Sequence, residues 1–167
     1  MKKILITIMP LLLTGCVTTE TVELSNEFNE KDAAFIYKSG KNTIKGNAFL
    51  RQNSGNVVTC AGNDVMLIPV TAYSQERMGH IYKLEDVGFL PIYNSKITFN
   101  NDSNDYKSMI KNVKCNSDGQ FEFNNVANGN YYVIAYVIWK AGSYQGGSLM
   151  KKVSVKNGSI EKLIMTL

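Results

Sequence analysis

Asn116-Ser117-Asp118-Gly119-Gln120-Phe121-Glu122-Phe123, then Val126 and Gly129-Asn130-Tyr131-Tyr132-Val133, is the stretch that decides the fold. Gly119 permits a tight turn, because a residue without Cβ enters left-handed backbone at no steric cost. Phe121 and Phe123 alternate with polar Gln120 and Glu122, so both rings share one face of a strand. Ala127-Asn128-Gly129-Asn130 turns the chain again, and Tyr131 opens a second strand that runs to Trp139.

The same period continues on either side. Upstream, Ile44, Gly46, Ala48 and Leu50 alternate with Lys45, Asn47, Phe49 and Arg51. Val57-Val58-Thr59-Cys60 reads as a short return strand, and Val65 to Val70 as another that Pro69 ends, since proline has no amide to donate. Residues 71–105 are less regular: Thr71 to Tyr82 can hold a helical turn, and Asp86 to Asn100 reads as a long connection with extended pieces. Lys107 to Cys115 reads as a strand with Met109, Val113 and Cys115 on one face. Downstream, Leu149 to Val155 and Ile160 to Leu167 flank Lys156-Asn157-Gly158-Ser159, and Asn-Gly between apolar alternating runs signals a hairpin. Six to eight short strands at this spacing predict an all-β, antiparallel sandwich.

The pattern Asp118-Gly119-x-Phe121-x-Phe123, Val126, then Gly129-Asn130-Tyr131 resembles the signature of carboxypeptidase regulatory-like domains. Asn116 stands where those domains usually carry aspartate, and Val126 where leucine is common. Thr59-Cys60-Ala61-Gly62 with Val65, Leu67 and Pro69 is similar to the first strands of uncharacterised bacterial proteins with a transthyretin-like fold. The resemblance spans residues 43–167 and implies a transthyretin-like or Ig-like sandwich of about seven strands. It implies little about activity, because one fold hosts many functions. The 5-hydroxyisourate-hydrolysing branch of that fold needs several histidines and a characteristic C-terminal tetrapeptide. This chain has one histidine, His80, and ends Ile164-Met165-Thr166-Leu167.

The N-terminus addresses the compartment. Lys2 and Lys3 precede the apolar run Ile4 to Leu13, which is shorter than the ~20 residues a spanning helix needs and suits a secretory signal. Leu13-Thr14-Gly15-Cys16 resembles the lipobox of bacterial lipoproteins. That implies removal of residues 1–15, a thioether to diacylglycerol on Cys16, palmitate-class acylation, and a membrane partner through the anchor. Val17, where aspartate would signal inner-membrane retention, implies the outer membrane. Residues 16–42 then read as a lipidated tether, polar from 17 to 27. A short helix inside it would be capped by Asn29 and stapled by Phe28, with Gly40 at its end.

Removing Lys2 and Lys3 halves the formal charge of +4, which argues against nucleic acid as a partner. Export to an oxidising compartment makes Cys60 and Cys115 a disulfide candidate, stabilising by ~4 kcal/mol through loop closure. Two separate buried thiols is the other reading. No metal or other cofactor is expected. One histidine without a Cys-x-x-Cys pair disfavours zinc. Asn100 to Asp105 lacks the glycine and late glutamate of a calcium loop. A Lys45–Asn157 isopeptide would need an acid that nothing in the sequence identifies.

No Gly-x-Ser-x-Gly surrounds any serine, and a non-enzymatic role is expected. From Tyr131 to Trp139 both faces are apolar: Tyr131, Val133, Ala135, Val137 and Trp139 on one, Tyr132, Ile134, Tyr136 and Ile138 on the other. Either the 71–105 segment covers the second face or it is an open aromatic patch. Tyr132 and Tyr136 are therefore candidate partner-surface residues, with Tyr144 at the tip of a loop from Lys140 to Gly147. The expected function is a membrane-anchored structural or interaction module contacting envelope protein or glycan. The alternatives are an accessory lipoprotein of a secretion, pilus or exclusion system, and an enzyme with an unrecognised site.

Overall fold

The computed structural model describes residues 20–94, 97–100 and 102–167. The signal segment at 1–15 and Cys16 lie outside the described residues. In chain order the strands are β1 (Glu20–Val22), β2 (Asn42–Arg51), β3 (Val57–Thr59), β4 (Asp64–Pro69), β5 (Val87–Pro91), β6 (Ile97–Phe99), β7 (Lys111–Lys114), β8 (Gln120–Val126), β9 (Gly129–Ala141), β10 (Ser143–Val155) and β11 (Ile160–Met165). The helices are α1 (Glu30–Ala33), α2 (Ala72–Tyr82) and α3 (Asn104–Ser108). None of these helices is long and apolar enough to cross a membrane.

Two sheets pack face to face as a β-sandwich. The larger runs β5-β10-β9-β4-β7, antiparallel throughout. In the smaller, β2 pairs with β11 in parallel on one edge and with β8 and then β3, both antiparallel, on the other. Between them lies the main core, where Tyr131, Val133, Ala135 and Val137 of β9 meet Ile44, Ala48, Phe121, Phe123 and Leu163. Each such aliphatic or phenyl side chain contributes ~1.5–3 kcal/mol on full burial. The turn before β8 is as its sequence demands: Gly119 has φ 75°, and a Cβ there would sit 2.5 Å from Thr59 Cβ.

The second face of β9 is covered. Tyr132 and Ile134 are buried in a second core with Val22, Leu24, Tyr73, Met78 and Tyr82. The segment read as irregular supplies the cover, because α2 is a full helix. Thr71 caps it reciprocally, its hydroxyl accepting from the Ser74 amide while Ser74 Oγ accepts from the Thr71 amide.

Further expectations are corrected. Residues 20–42 are not a free linker: β1 pairs in parallel with β6, and Val22 and Leu24 are buried, since these two apolar residues complete the second core. Asn29 does cap a short helix, accepting from the Lys31 amide. Lys107 to Cys115 is not one strand. Ser103 accepts from the Tyr106 amide to start α3, and only Lys111–Lys114 pairs. Lys140 to Gly147 is not a loop, for β9 and β10 stay paired through Ser143↔Ala141 around Gly142.

The Asn157-Gly158 turn does have the two positive φ values of a hairpin turn (58° and 78°). Yet β10 and β11 part into different sheets there. Buried Asn42 holds the crossing. Its amide oxygen accepts from Gly158 and Ser159 N–H (2.8 and 2.9 Å), and its NH2 donates to Val126 O (2.8 Å) and Asn128 Oδ1 (3.0 Å). All four capacities of a buried amide are thereby used.

Candidate functional site

Among the described residues, one concave region lies on the outer face of each sheet. The first is a cavity of about 480 Å3 between the outer face of the five-stranded sheet and the layer made by α2, α3 and the β5–β6 connection. Ile68, Leu90, Ile134 and Ile138 line its sheet side, and Met78 and Ile81 line the cover. Polar groups enter at a few points. Tyr82 Oη and Ser148 Oγ share a buried hydrogen bond of 2.9 Å. Burial pushes the hydroxyls of Tyr82, Tyr106 and Tyr136 up from their ordinary pKa, so all three stay neutral donors at any physiological pH.

At one side of this cavity Arg77 joins α2 to α3 and β6. Its guanidinium carbon lies 4.0 Å from the Phe99 ring centroid and 5.0 Å from that of Tyr106. Nη1 donates to Asp102 Oδ1 at 2.8 Å, and Lys107 Nζ reaches Asp102 Oδ2 at 3.0 Å. This accounts for the polar loop considered as a calcium site: Asp102 is held by two cations. Among the described residues no group of three His, Cys, Asp or Glu side chains converges to hold a metal. His80 lies on α2, with its ring centroid 6.5 Å from that of Phe99.

The second region is an open groove of about 700 Å3 on the outer face of the four-stranded sheet. Lys45 and Asn47 of β2 sit opposite Glu122 and Gln120 of β8 and beside Lys162 and Ile164 of β11. Asn116 and Lys114 extend the lining. Lys45 Nζ lies 3.9 Å from Glu122 Oε2, with both side chains near half exposure; Asn157 is at the distant β10–β11 turn, so an isopeptide partnership has no geometric support. Ile160 and Ile164 are exposed on this otherwise polar face.

The partner-surface candidates separate. Tyr132 is fully buried, and burial, reinforced by the Glu85 and Asp86 carboxylates, pushes its hydroxyl up to about 12; it offers no surface. Tyr136 is half-buried and lines the cavity. Tyr144 is exposed near the end of the β9–β10 hairpin. Tyr93, exposed and not singled out in the sequence, belongs with it: the Ile92 amide donates to Gly146 O, which brings Tyr93 to the same hairpin. Its place in an irregular connection gave no periodic signal. Cys60 and Cys115 form a disulfide, with Cα atoms 5.8 Å apart, that joins the edge strands β3 and β7 of the two sheets.

Neither family models nor curated proteins yield a match to this chain. Among solved structures, the chain is similar to a protein from Pseudomonas aeruginosa described as a “putative carbohydrate binding protein”. The TM-score is 0.69 at 22% identity, covering 85% of this chain and 99% of the other. A likeness at that identity is one of architecture: the two proteins share the β-sandwich and its arrangement of strands.

Proposed function

We propose that this chain is a non-catalytic binding module, held at the outer membrane by a lipid on Cys16, that takes envelope glycan on the outer face of its four-stranded sheet. The observation that carries the reading is the open groove of about 700 Å3, where Lys45, Asn47, Gln120, Glu122 and Lys162 project from three adjacent strands. Amide and charged side chains on a rigid sheet can donate to and accept from sugar hydroxyls in fixed directions. Exposed Ile164 offers an apolar contact for the C–H face of a sugar ring. Lys45 pairs with Glu122 and Lys114 with Asp64, which leaves Lys162 as the groove cation without an ion pair among the described residues and favours an anionic glycan. The carbohydrate-binding description of the fold neighbour supports the ligand class.

The test is titration of the protein with envelope polysaccharide and peptidoglycan fragments by calorimetry. The double variant Lys45→Ala/Gln120→Ala is expected to weaken binding at least about tenfold, the equivalent of ~1.4 kcal/mol. Binding that is absent, or unchanged in the variant, overturns this assignment. Palmitate labelling lost in Cys16→Ala tests the anchor separately. A second reading, an accessory lipoprotein of a secretion, pilus or exclusion system, is favoured by exposed Tyr93 and Tyr144 at one end of the hairpin, since tyrosine is enriched at protein interfaces. A defined protein complex recovered with wild type and lost with Tyr144→Ala supports it.

A further inference from the structure

The cavity behind the five-stranded sheet has no part in glycan binding, and its shape and chemistry suit another ligand. Its lining crosses the sheet from Leu90 on β5 through Ser148 on β10, Ile134 on β9 and Ile68 on β4 to Ile110 beside β7. Four strand spacings make that path ~19 Å long. A bilayer's hydrocarbon core, ~30 Å thick, is two acyl chains deep, so one chain occupies ~15 Å. The volume of about 480 Å3 falls in the ~300–1,000 Å3 range of ligand sites. Most of the lining is aliphatic, which a sugar would not match.

The charged groups gather at the α3 end. Arg77 and Lys107 share the one carboxylate of Asp102, leaving an excess positive charge. Arg77 Nε and Tyr106 Oη are both buried, on residues that line the cavity, and neither has a well-formed hydrogen bond among the described residues. The guanidinium does lie beside the tyrosine hydroxyl. Buried polar atoms in native proteins are generally paired, and a ligand oxygen placed there would pair both.

We infer that this cavity binds one fatty acyl chain, its tail laid across the sheet and its carboxylate or ester oxygens beside Arg77, Tyr106 and Lys107. The chain has two available sources. One is a free or membrane lipid. The other is the protein's own anchor: Glu20 pairs with cavity-lining Ile97, and Cys16 comes four residues before Glu20 in the sequence, a length of chain that spans at most ~14 Å. The second source alone rests on acylation of Cys16.

The probe is cis-parinaric acid, titrated by fluorescence into the full chain carrying Cys16→Ser, which has no acyl group of its own. Saturable one-to-one binding, displaced by palmitate, is expected. Ile134→Trp should weaken it at least about tenfold by filling the tail path, and Lys107→Glu should weaken it by reversing charge at the head. Should near-UV circular dichroism show Ile134→Trp unfolded, Ile138→Trp replaces it. If acylated wild type refuses the probe while Cys16→Ser accepts it, the anchor is the occupant; equal binding assigns a free or membrane lipid. No saturable binding to Cys16→Ser, or binding indifferent to the folded tryptophan variant, overturns the inference. Glycan titration of the same variants reads the opposite sheet, so failure of either site is seen independently.

Discussion

On the outer face of the four-stranded sheet, Lys45 and Asn47 stand opposite Glu122 and Gln120, and Thr43 Oγ1 donates to Asn124 Oδ1, all facing open space. On the outer face of the five-stranded sheet, Tyr132, Ile134 and Tyr136 lie under α2, β1 and the β5–β6 connection. The difference follows from alternation. Strand β2 and strand β8 are apolar at every second position and need one packing partner. Strand β9 is apolar at every position from Tyr131 to Trp139 and needs two, so the sandwich acquires a third layer on that side alone. That layer closes imperfectly over the sheet, and the imperfection is the cavity. A bare polar face and a covered apolar one thus give a single domain two chemically distinct surfaces.

The largest expected effect comes from cutting what joins the two sheets at one edge. The Cys60–Cys115 bond closes a loop of separation 55, and the double variant Cys60→Ala/Cys115→Ala should lose ~4 kcal/mol of unfolding free energy in urea titration. A loss below ~1 kcal/mol would mean that the cross-sheet core alone holds the edge. Next in size is the contrast between the outer faces. Ile68→Ala, under the third layer, should cost ~3 kcal/mol, in the range for buried isoleucine truncation. Ile164→Ala, exposed on the polar face, should fall within ~0.5 kcal/mol of wild type. Equal effects would show that the cover does not bury the five-stranded sheet in solution.

The strand pattern, the Gly119 and Gly129 turns, the cysteine pair and the two apolar faces of β9 were legible because each depends on local alternation or on residue supply. What could not be read locally was where strands go after a turn. Asn157-Gly158 has the hairpin conformation, but the direction of β11 is set by Asn42, more than a hundred positions away. The hairpin end at Tyr144 read as a loop because Gly142, Gly146 and Gly147 dilute the period, while the backbone ladder carries on regardless. The third layer was anticipated from the absence of polar residues on β9. Residues 71–105 were named as its cover, but α2 read only as a helical turn because its cap is Thr-x-x-Ser, and the buried residues of β1 and its flank, Val22 and Leu24, sit in a run that composition alone reads as linker. The polar sheet groove escaped notice for a related reason. Its lining residues are the ordinary outward half of three amphipathic strands, and only their assembly makes a site.

The smallest effect expected concerns how the N-terminal flank is fastened to the third layer. Glu76 on α2 accepts hydrogen bonds from the Ser25 amide (2.7 Å), the Asn26 amide (2.8 Å) and Asn26 Nδ2 (2.8 Å). These donors, the Ser25 backbone first, hold its pKa down at about 2 from an ordinary 4.5. A carboxyl whose folded pKa is depressed fastens fully above its unfolded value and loses its hold as pH falls through the folded one. Hydrogen-exchange protection of the Ser25 and Asn26 amides should therefore be level from neutral pH down to about 4.5 and fall between there and about 2. Glu76→Gln should lower that protection at neutral pH and flatten its pH dependence, leaving the β9 amides unchanged because the flank opens locally. The site is near the surface, so solvent screens it and global stability should barely move. Were the β9 amides to lose protection together with Ser25, the third layer and the sandwich would be one cooperative unit, and the contrast between the covered face and the bare one would extend to how the molecule unfolds.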